Sequence, residues 1–260
     1  MLRGIVGFLL CLGMLPAGAA IQSKAVEYMH EDTKLTGYLY WDDAQRGKRP
    51  GVMVVHQWWG LDDYTKHRAR MLAELGYVAF AADMYGTGKW TDQPAQAREW
   101  MQEVTADVEG WRARAELGLE QLARSGMMKT GQTATIGYCF GGATALQMAY
   151  GGLPVKGIVT FHAALPAAPE ESGGKIDTRI LVLHGQADSF VAPEVVSNFR
   201  NKLEEAGADW EMNTYGGVRH GFTDPSADSH GMDNLKYDAR ADARSWARMR
   251  SFFDELFSAP

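Results

Sequence analysis

The 260-residue chain is 46% hydrophobic, which is enough apolar material for a sizeable core in one domain. Its net charge of −6 argues against nucleic acid, which wants a basic face, and gives no attraction to an anionic membrane surface. A small molecule is therefore the expected partner.

Residues 1–20 stand apart from the rest. Arg3 supplies a positive start, Ile5 to Leu15 form a short apolar stretch, and Pro16-Ala17-Gly18-Ala19-Ala20 offer the small residues a signal peptidase needs. Spanning a bilayer takes about 20 apolar residues, so the stretch is too short to be an anchor. We read a cleaved secretory signal ending at Ala19 or Ala20, in preference to a buried N-terminal strand or helix, and a single mature domain over 21–260. The protein is then exported, to the periplasm or beyond, with no membrane insertion once the signal is gone. Cleavage also removes Cys11 and leaves Cys139 as the one cysteine. A lone thiol in an oxidising compartment is either a small buried hydrophobe or a reactive group, and its neighbours decide between these.

Residues 25–40 read as two strands joined at Glu31-Asp32, an antiparallel opening ribbon. GVMVVHQ, beginning at Gly51, has the short apolar run of a buried parallel strand. Helical spacing over 64–75 closes at Gly76, and YVAFAADMY forms the next strand. From Asp92 to Arg124, Trp100, Val104, Val108, Trp111, Ala115, Leu119 and Leu122 recur at steps of three or four, which predicts one long helix with a buried face. Those tryptophans read as core. Then come the strand ATIGYC, the helix GGATALQMAY, and the strands GIVTFHA and RILVLHG. A helix from Glu194 to Glu205, the strand WEMNTYGG and a closing helix near Tyr237 to Phe257 complete the chain. Such alternation implies an α/β fold, with a mostly parallel central sheet and helices on both faces. Sites then belong along the carboxyl edge of the strands.

Gly137-Tyr138-Cys139-Phe140-Gly141-Gly142 lies between a strand and a helix. A nucleophile there sits on a tight turn whose flanking glycines leave room for the neighbouring strand and helix. The helix N-terminus favours negative charge on its sulfur. Chain order supplies a second test, because this arrangement runs nucleophile, acid, histidine. Asp188 follows RILVLHG and His220 follows the next strand, each where the acid and the base should fall. Cys139 would attack a carbonyl carbon, His220 relay the proton and Asp188 fix the imidazole tautomer. Backbone N–H groups of Phe140 and Trp58 are the expected oxyanion donors. His56, His162 and His184 each end an apolar strand and read as hydrogen-bonded structural residues. No pairing of histidines or cysteines has metal-ligand spacing, so no metal is expected. Gly86-Thr87-Gly88 lacks the rest of a phosphate loop and reads as a loop at the site's edge.

PGVMVVHQWWGL, ADMYG, IGYCFGG, LHGQAD and RHGF, in that order, resemble the dienelactone hydrolase family of the α/β-hydrolase fold over essentially the whole mature chain. The resemblance implies a triad of Cys139, His220 and Asp188 and cofactor-free hydrolysis of lactones or related esters. Three positions depart from it. The family has a glutamate that helps generate the thiolate where this chain has Gln57. It has an arginine for the substrate carboxylate where this chain has Gly86-Thr87-Gly88-Lys89. Four residues after the histidine it has a second carboxylate-binding arginine, and here that position is Asp224. An anionic dienelactone would meet weaker or repulsive surroundings, with Lys89 and Arg219 the residues able to compensate. The leading expectation is therefore an exported hydrolase of neutral esters, thioesters or lactones, with Gln57, Trp59, Tyr85 and Phe222 lining its pocket. A non-catalytic binding protein that keeps the fold is the alternative, and a redox-sensing thiol is a third, weakened by the absence of a resolving cysteine.

Overall fold

Strands β1 (Ile21–His30) and β2 (Thr33–Asp42) form the expected ribbon, turning at Glu31, whose φ is 50°. The structure, a computed structural model, describes residues 20–170 and 176–258; of the expected leader, residues 1–19 lie outside the described residues. The ribbon is followed by β3 (Arg49–Val55), β4 (Val78–Ala82), β5 (Met128–Tyr138), β6 (Gly157–Phe161), β7 (Arg179–Gly185) and β8 (Trp210–Tyr215). They build one eight-stranded sheet in the order β1-β2-β4-β3-β5-β6-β7-β8. The β1–β2 and β2–β4 pairs are antiparallel and the remaining pairs are parallel.

Side chains alternate across the pleat, so each central strand feeds two cores. Met53 and Val55 of β3 and Phe80 of β4 face one core, while Val52, Val54 and Ala81 face the other. That is why these strands are apolar without alternation: both faces are covered. The first core is roofed by α2 (Pro94–Thr105), α3 (Val108–Arg124), α4 (Phe140–Tyr150) and α5 (Pro193–Glu205), the second by α1 (Asp63–Glu74) and α6 (Ala239–Ser258). From β3 the chain passes to β4 on one side, whereas β5 leads to β6 on the other. The sheet therefore changes winding direction between β3 and β5, and the crevice above their carboxyl ends is where an open α/β sheet puts its ligand.

One expected element is corrected. The single helix over Asp92 to Arg124 is two helices, α2 and α3, broken at Ala106-Asp107. Asp107 is extended (φ −116°, ψ 109°), and its carboxylate caps α3 by accepting the N–H groups of Glu109 and Gly110. The apolar spacing hid the break because Val104 and Trp111, on either side of it, face the same core. Replacing the cap in Asp107→Ala should lower stability by about 1 kcal/mol in urea denaturation. An unchanged midpoint would mean that packing alone holds the break.

Candidate active site

Cys139 occupies the turn between β5 and α4 with φ 54° and ψ −114°, a backbone conformation that non-glycine residues rarely adopt. Close backbone packing enforces it. A Cβ on Gly137 would lie 1.9 Å from the Gly141 carbonyl oxygen, and one on Gly141 would lie 2.2 Å from that of Val55. The Cys139 N–H donates to Phe161 O at 3.0 Å, and its own carbonyl accepts from Gly142 and Ala143. Behind it the Phe140 ring stacks on Trp111, with centroids 5.7 Å apart, and Thr144 Oγ1 links Trp111 Nε1 to the Phe140 carbonyl. The tryptophan read as core thus braces this turn. Cys139 itself is half-buried.

His220 and Asp188 come together at this edge. His220 Nδ1 donates to Asp188 Oδ2 at 2.7 Å, and both residues are buried. Burial opposes charge on His220, but the Cys139 sulfur facing it and the Asp188 carboxylate prevail, and its pKa is pushed up to about 10. The imidazole lies between two other rings, His162 and Phe190, each with its centroid 5.0 Å away. Burial, and then the charge of His220, push His162 well below the usual histidine range, so it stays neutral. His162 Nε2 pairs with Thr223 Oγ1 at 2.8 Å, and Tyr64 holds the same oxygen.

Sequence reasoning missed three of these neighbours. Arg68 is buried in α1, where it donates to the Thr223 carbonyl and to Asp242 Oδ1 and so fixes the loop that carries His220. A cation on the apolar face of a helix, between Thr65 and Leu72, was the available signal. Thr223 and the exposed Phe190 gave none.

The loop after β3 carries the expected oxyanion donor. Neither Trp58 N–H nor Phe140 N–H donates to an acceptor among the described residues, so both are free. His56 Nε2 accepts the Met84 N–H at 3.1 Å, which leaves Nδ1–H to donate to the Gln57 carbonyl at 2.5 Å. Burial holds this histidine neutral, and the ring ties the loop after β3 to the loop after β4.

Gln57 and Asp224 meet. Gln57 Nε2 donates to Asp224 Oδ2 at 2.7 Å, while Asp224 Oδ1 accepts from the Ser226 N–H at 2.8 Å and from Ser226 Oγ at 2.7 Å. Both side chains are buried. Asp224 also lines a cavity of about 790 Å³, together with Trp59, Asp62, Asp83, Lys89 and Trp90. Trp59 stacks on His230 there, with centroids 4.0 Å apart.

The other residues expected in the pocket lie elsewhere. Phe222 is fully buried against His162 and Tyr215, because Gly221, with φ 70°, turns the chain inward after His220. Tyr85 is 1% exposed beneath the site, drawn in by Asp83 Oδ1, which takes the N–H groups of Tyr85 and Gly86. Lys89 does line the cavity, 3.9 Å from Glu103, while Arg219 is exposed and donates to the Asp233 carbonyl. Among the described residues no group of three or more His, Cys, Asp or Glu converges as a metal site would, and no helix is long and apolar enough to cross a membrane.

Residues 35–257 match the model of the dienelactone hydrolase family. A solved structure named m3DLH superimposes with a TM-score of 0.88 at 41% identity, covering 92% of this chain and 99% of that one. The crystal structure of P91, a dienelactone hydrolase-like promiscuous phosphotriesterase from metagenomic libraries, gives 0.88 at 39% identity, covering 92% of this chain and 99% of that one. A putative carboxymethylenebutenolidase of Aquifex aeolicus is 26% identical over 240 residues, 88% of this chain and 97% of its own.

The raised pKa makes His220 a cation at neutral pH that loses its charge only as pH rises through about 10. NMR titration of its ring should show no deprotonation near the ordinary value of about 6.5. In Cys139→Ala, where the facing sulfur is gone, the midpoint should fall toward that value. A native midpoint near it would remove the imidazolium from the site.

Proposed function

Because the chain belongs to the dienelactone hydrolase family and is a hydrolase acting on esters or lactones, we propose that Cys139, His220 and Asp188 hydrolyse neutral esters, thioesters or lactones through an acyl-enzyme, without a cofactor. One observation carries this reading: a cysteine held at φ 54° at the tip of a strand–helix turn, at the sheet edge where Asp188 holds the His220 ring by its Nδ1. The Cys139 sulfur attacks the carbonyl carbon, and the carbonyl oxygen takes up the charge between the N–H groups of Phe140 and Trp58. As the intermediate collapses, the C–O bond breaks and His220 Nε2 gives its proton to the leaving alkoxide. In a lactone that alkoxide stays tethered to the acyl chain. Water, giving a proton to His220, then attacks the thioester, and the carboxylic acid departs as the thiolate reforms. Asp188 on Nδ1 keeps Nε2 turned to the reaction throughout.

Neutral substrates are favoured by what surrounds Asp224. Its carboxylate, with those of Asp62 and Asp83, lines the cavity that includes Trp59 and Lys89 but not Cys139 or His220, and among the described residues none of the three forms an ion pair. The arginine that would welcome a substrate carboxylate is absent from this position. The composition of residues 1–20 supports export of the enzyme, and N-terminal sequencing of the protein recovered outside the cytoplasm tests that directly.

Cys139→Ala should abolish turnover of p-nitrophenyl acetate and butyrate, by about 10⁴-fold or more. Full activity in that variant would reassign the nucleophile. At low salt, kcat/KM for a neutral butyrate ester should exceed that for the matching hemisuccinate by about tenfold, and the gap should narrow with added salt. Preference for the anion would transfer specificity to Lys89 or Arg219.

A further inference from the structure

We propose that the Tyr85 hydroxyl donates a hydrogen bond to the Cys139 sulfur when it carries negative charge, which makes Tyr85 part of the apparatus that generates the nucleophile. The inference rests on Cys139 being that nucleophile. Gln57, at the position where the resemblance calls for a thiolate-generating glutamate, cannot serve, because its amide is committed to Asp224. Tyr85 has no such commitment. Its hydroxyl is fully buried and has no hydrogen-bond partner among the described residues, an arrangement that costs stability and calls for an acceptor.

Its position names the acceptor. The Tyr85 ring packs 5.4 Å from that of Phe140, the residue after Cys139, and edge-on to His56 at 4.8 Å. Cys139 packs against the core to which both Tyr85 and Phe140 belong. Tyr138, the residue before Cys139, also has an unpartnered hydroxyl, but it turns to the opposite face of the sheet against Tyr64 and Phe161. The Tyr85 segment is anchored on three sides: by Asp83 Oδ1, by His56 on the Met84 N–H, and by Arg114 on the Met84 carbonyl. Burial, and then negative charge on Cys139, push the Tyr85 hydroxyl well above its usual range. It therefore keeps its proton, as a donor to an anion must.

The experiment is Tyr85→Phe in the full chain carrying Cys11→Ser, so that Cys139 is the sole thiol. Losing a hydrogen bond to a charged atom should slow alkylation of Cys139 by iodoacetamide about tenfold at neutral pH. The ultraviolet absorbance of the thiolate should fall with it, and kcat should drop while KM holds. A folded variant with unchanged alkylation and thiolate absorbance overturns the proposal. Alkylation needs no substrate, so this outcome is separate from the turnover of Cys139→Ala, which judges the proposed function.

Discussion

The close approach of α4 to β3 is the constraint on which the rest of the site depends. Gly141 lies against the Val55 carbonyl and Gly142 against Ala163, where a Cβ would be 2.4 Å from the alanine's own. With the helix seated that deeply, the chain leaving β5 has to reverse within one residue, and that residue is Cys139. Its left-handed backbone costs on the order of 1–3 kcal/mol and persists because the surroundings over-determine it. The Phe161 carbonyl holds its N–H, while Thr144 and Trp111 hold the next residue. The same approach brings the first turn of α4 beside the loop after β3, the two segments that carry the N–H groups of Phe140 and Trp58. A looser helix would have allowed an ordinary turn and separated those groups.

Electrostatics then separates residues that composition cannot. Four buried histidines, His56, His162, His184 and His220, stand at or beyond the carboxyl ends of parallel strands. Burial alone drives every one of them toward the neutral form. His56, with one nitrogen accepting and the other donating, is locked in one tautomer. His162 lies beside a charged neighbour and is pushed further down, and His184 is lowered by burial despite the nearby Asp188. His220 alone has a sulfur on one side and a carboxylate bonded to its far nitrogen, and it alone moves upward. Its distinction is a pair of partners supplied by β5 and β7, two strands separated in the sheet only by β6.

What was legible in the chain follows from how local each signal is. The ribbon at Glu31, the parallel strands and the order of Cys139, Asp188 and His220 are all written in short stretches whose period or turn residues carry the information. The break at Asp107 is local too, and Asp107 is a good cap, but the apolar phase carries through from Val104 to Trp111 and reads as continuity. Phe222 was misread because adjacency to a reactive histidine is no measure of direction; a glycine between them turned it into the core. The bond between Gln57 and Asp224 joins residues 167 positions apart, and neither position announces the other. Arg68 stands between these cases: its burial was readable from the helix face, its partners were not.

That bond changes the meaning of the two departures it links. Taken singly, Gln57 is a lost carboxylate and Asp224 an obstacle to an anionic substrate. Taken together they are one exchange, in which an amide donates to a carboxylate where the resemblance calls for a glutamate and an arginine. The two halves are coupled. A glutamate at position 57 would set two carboxylates against each other where the 2.7 Å bond now lies, and one would have to hold a proton. An arginine at position 224 would leave the Gln57 amide without its acceptor. The exchange also leaves the site one negative charge richer, beside Asp62, whose own pKa is pushed up to about 6 by burial, with Asp224 adding to the effect. Glutamine has no proton to exchange, so the proposed reaction leaves activation of Cys139 to the end of α4 and to His220.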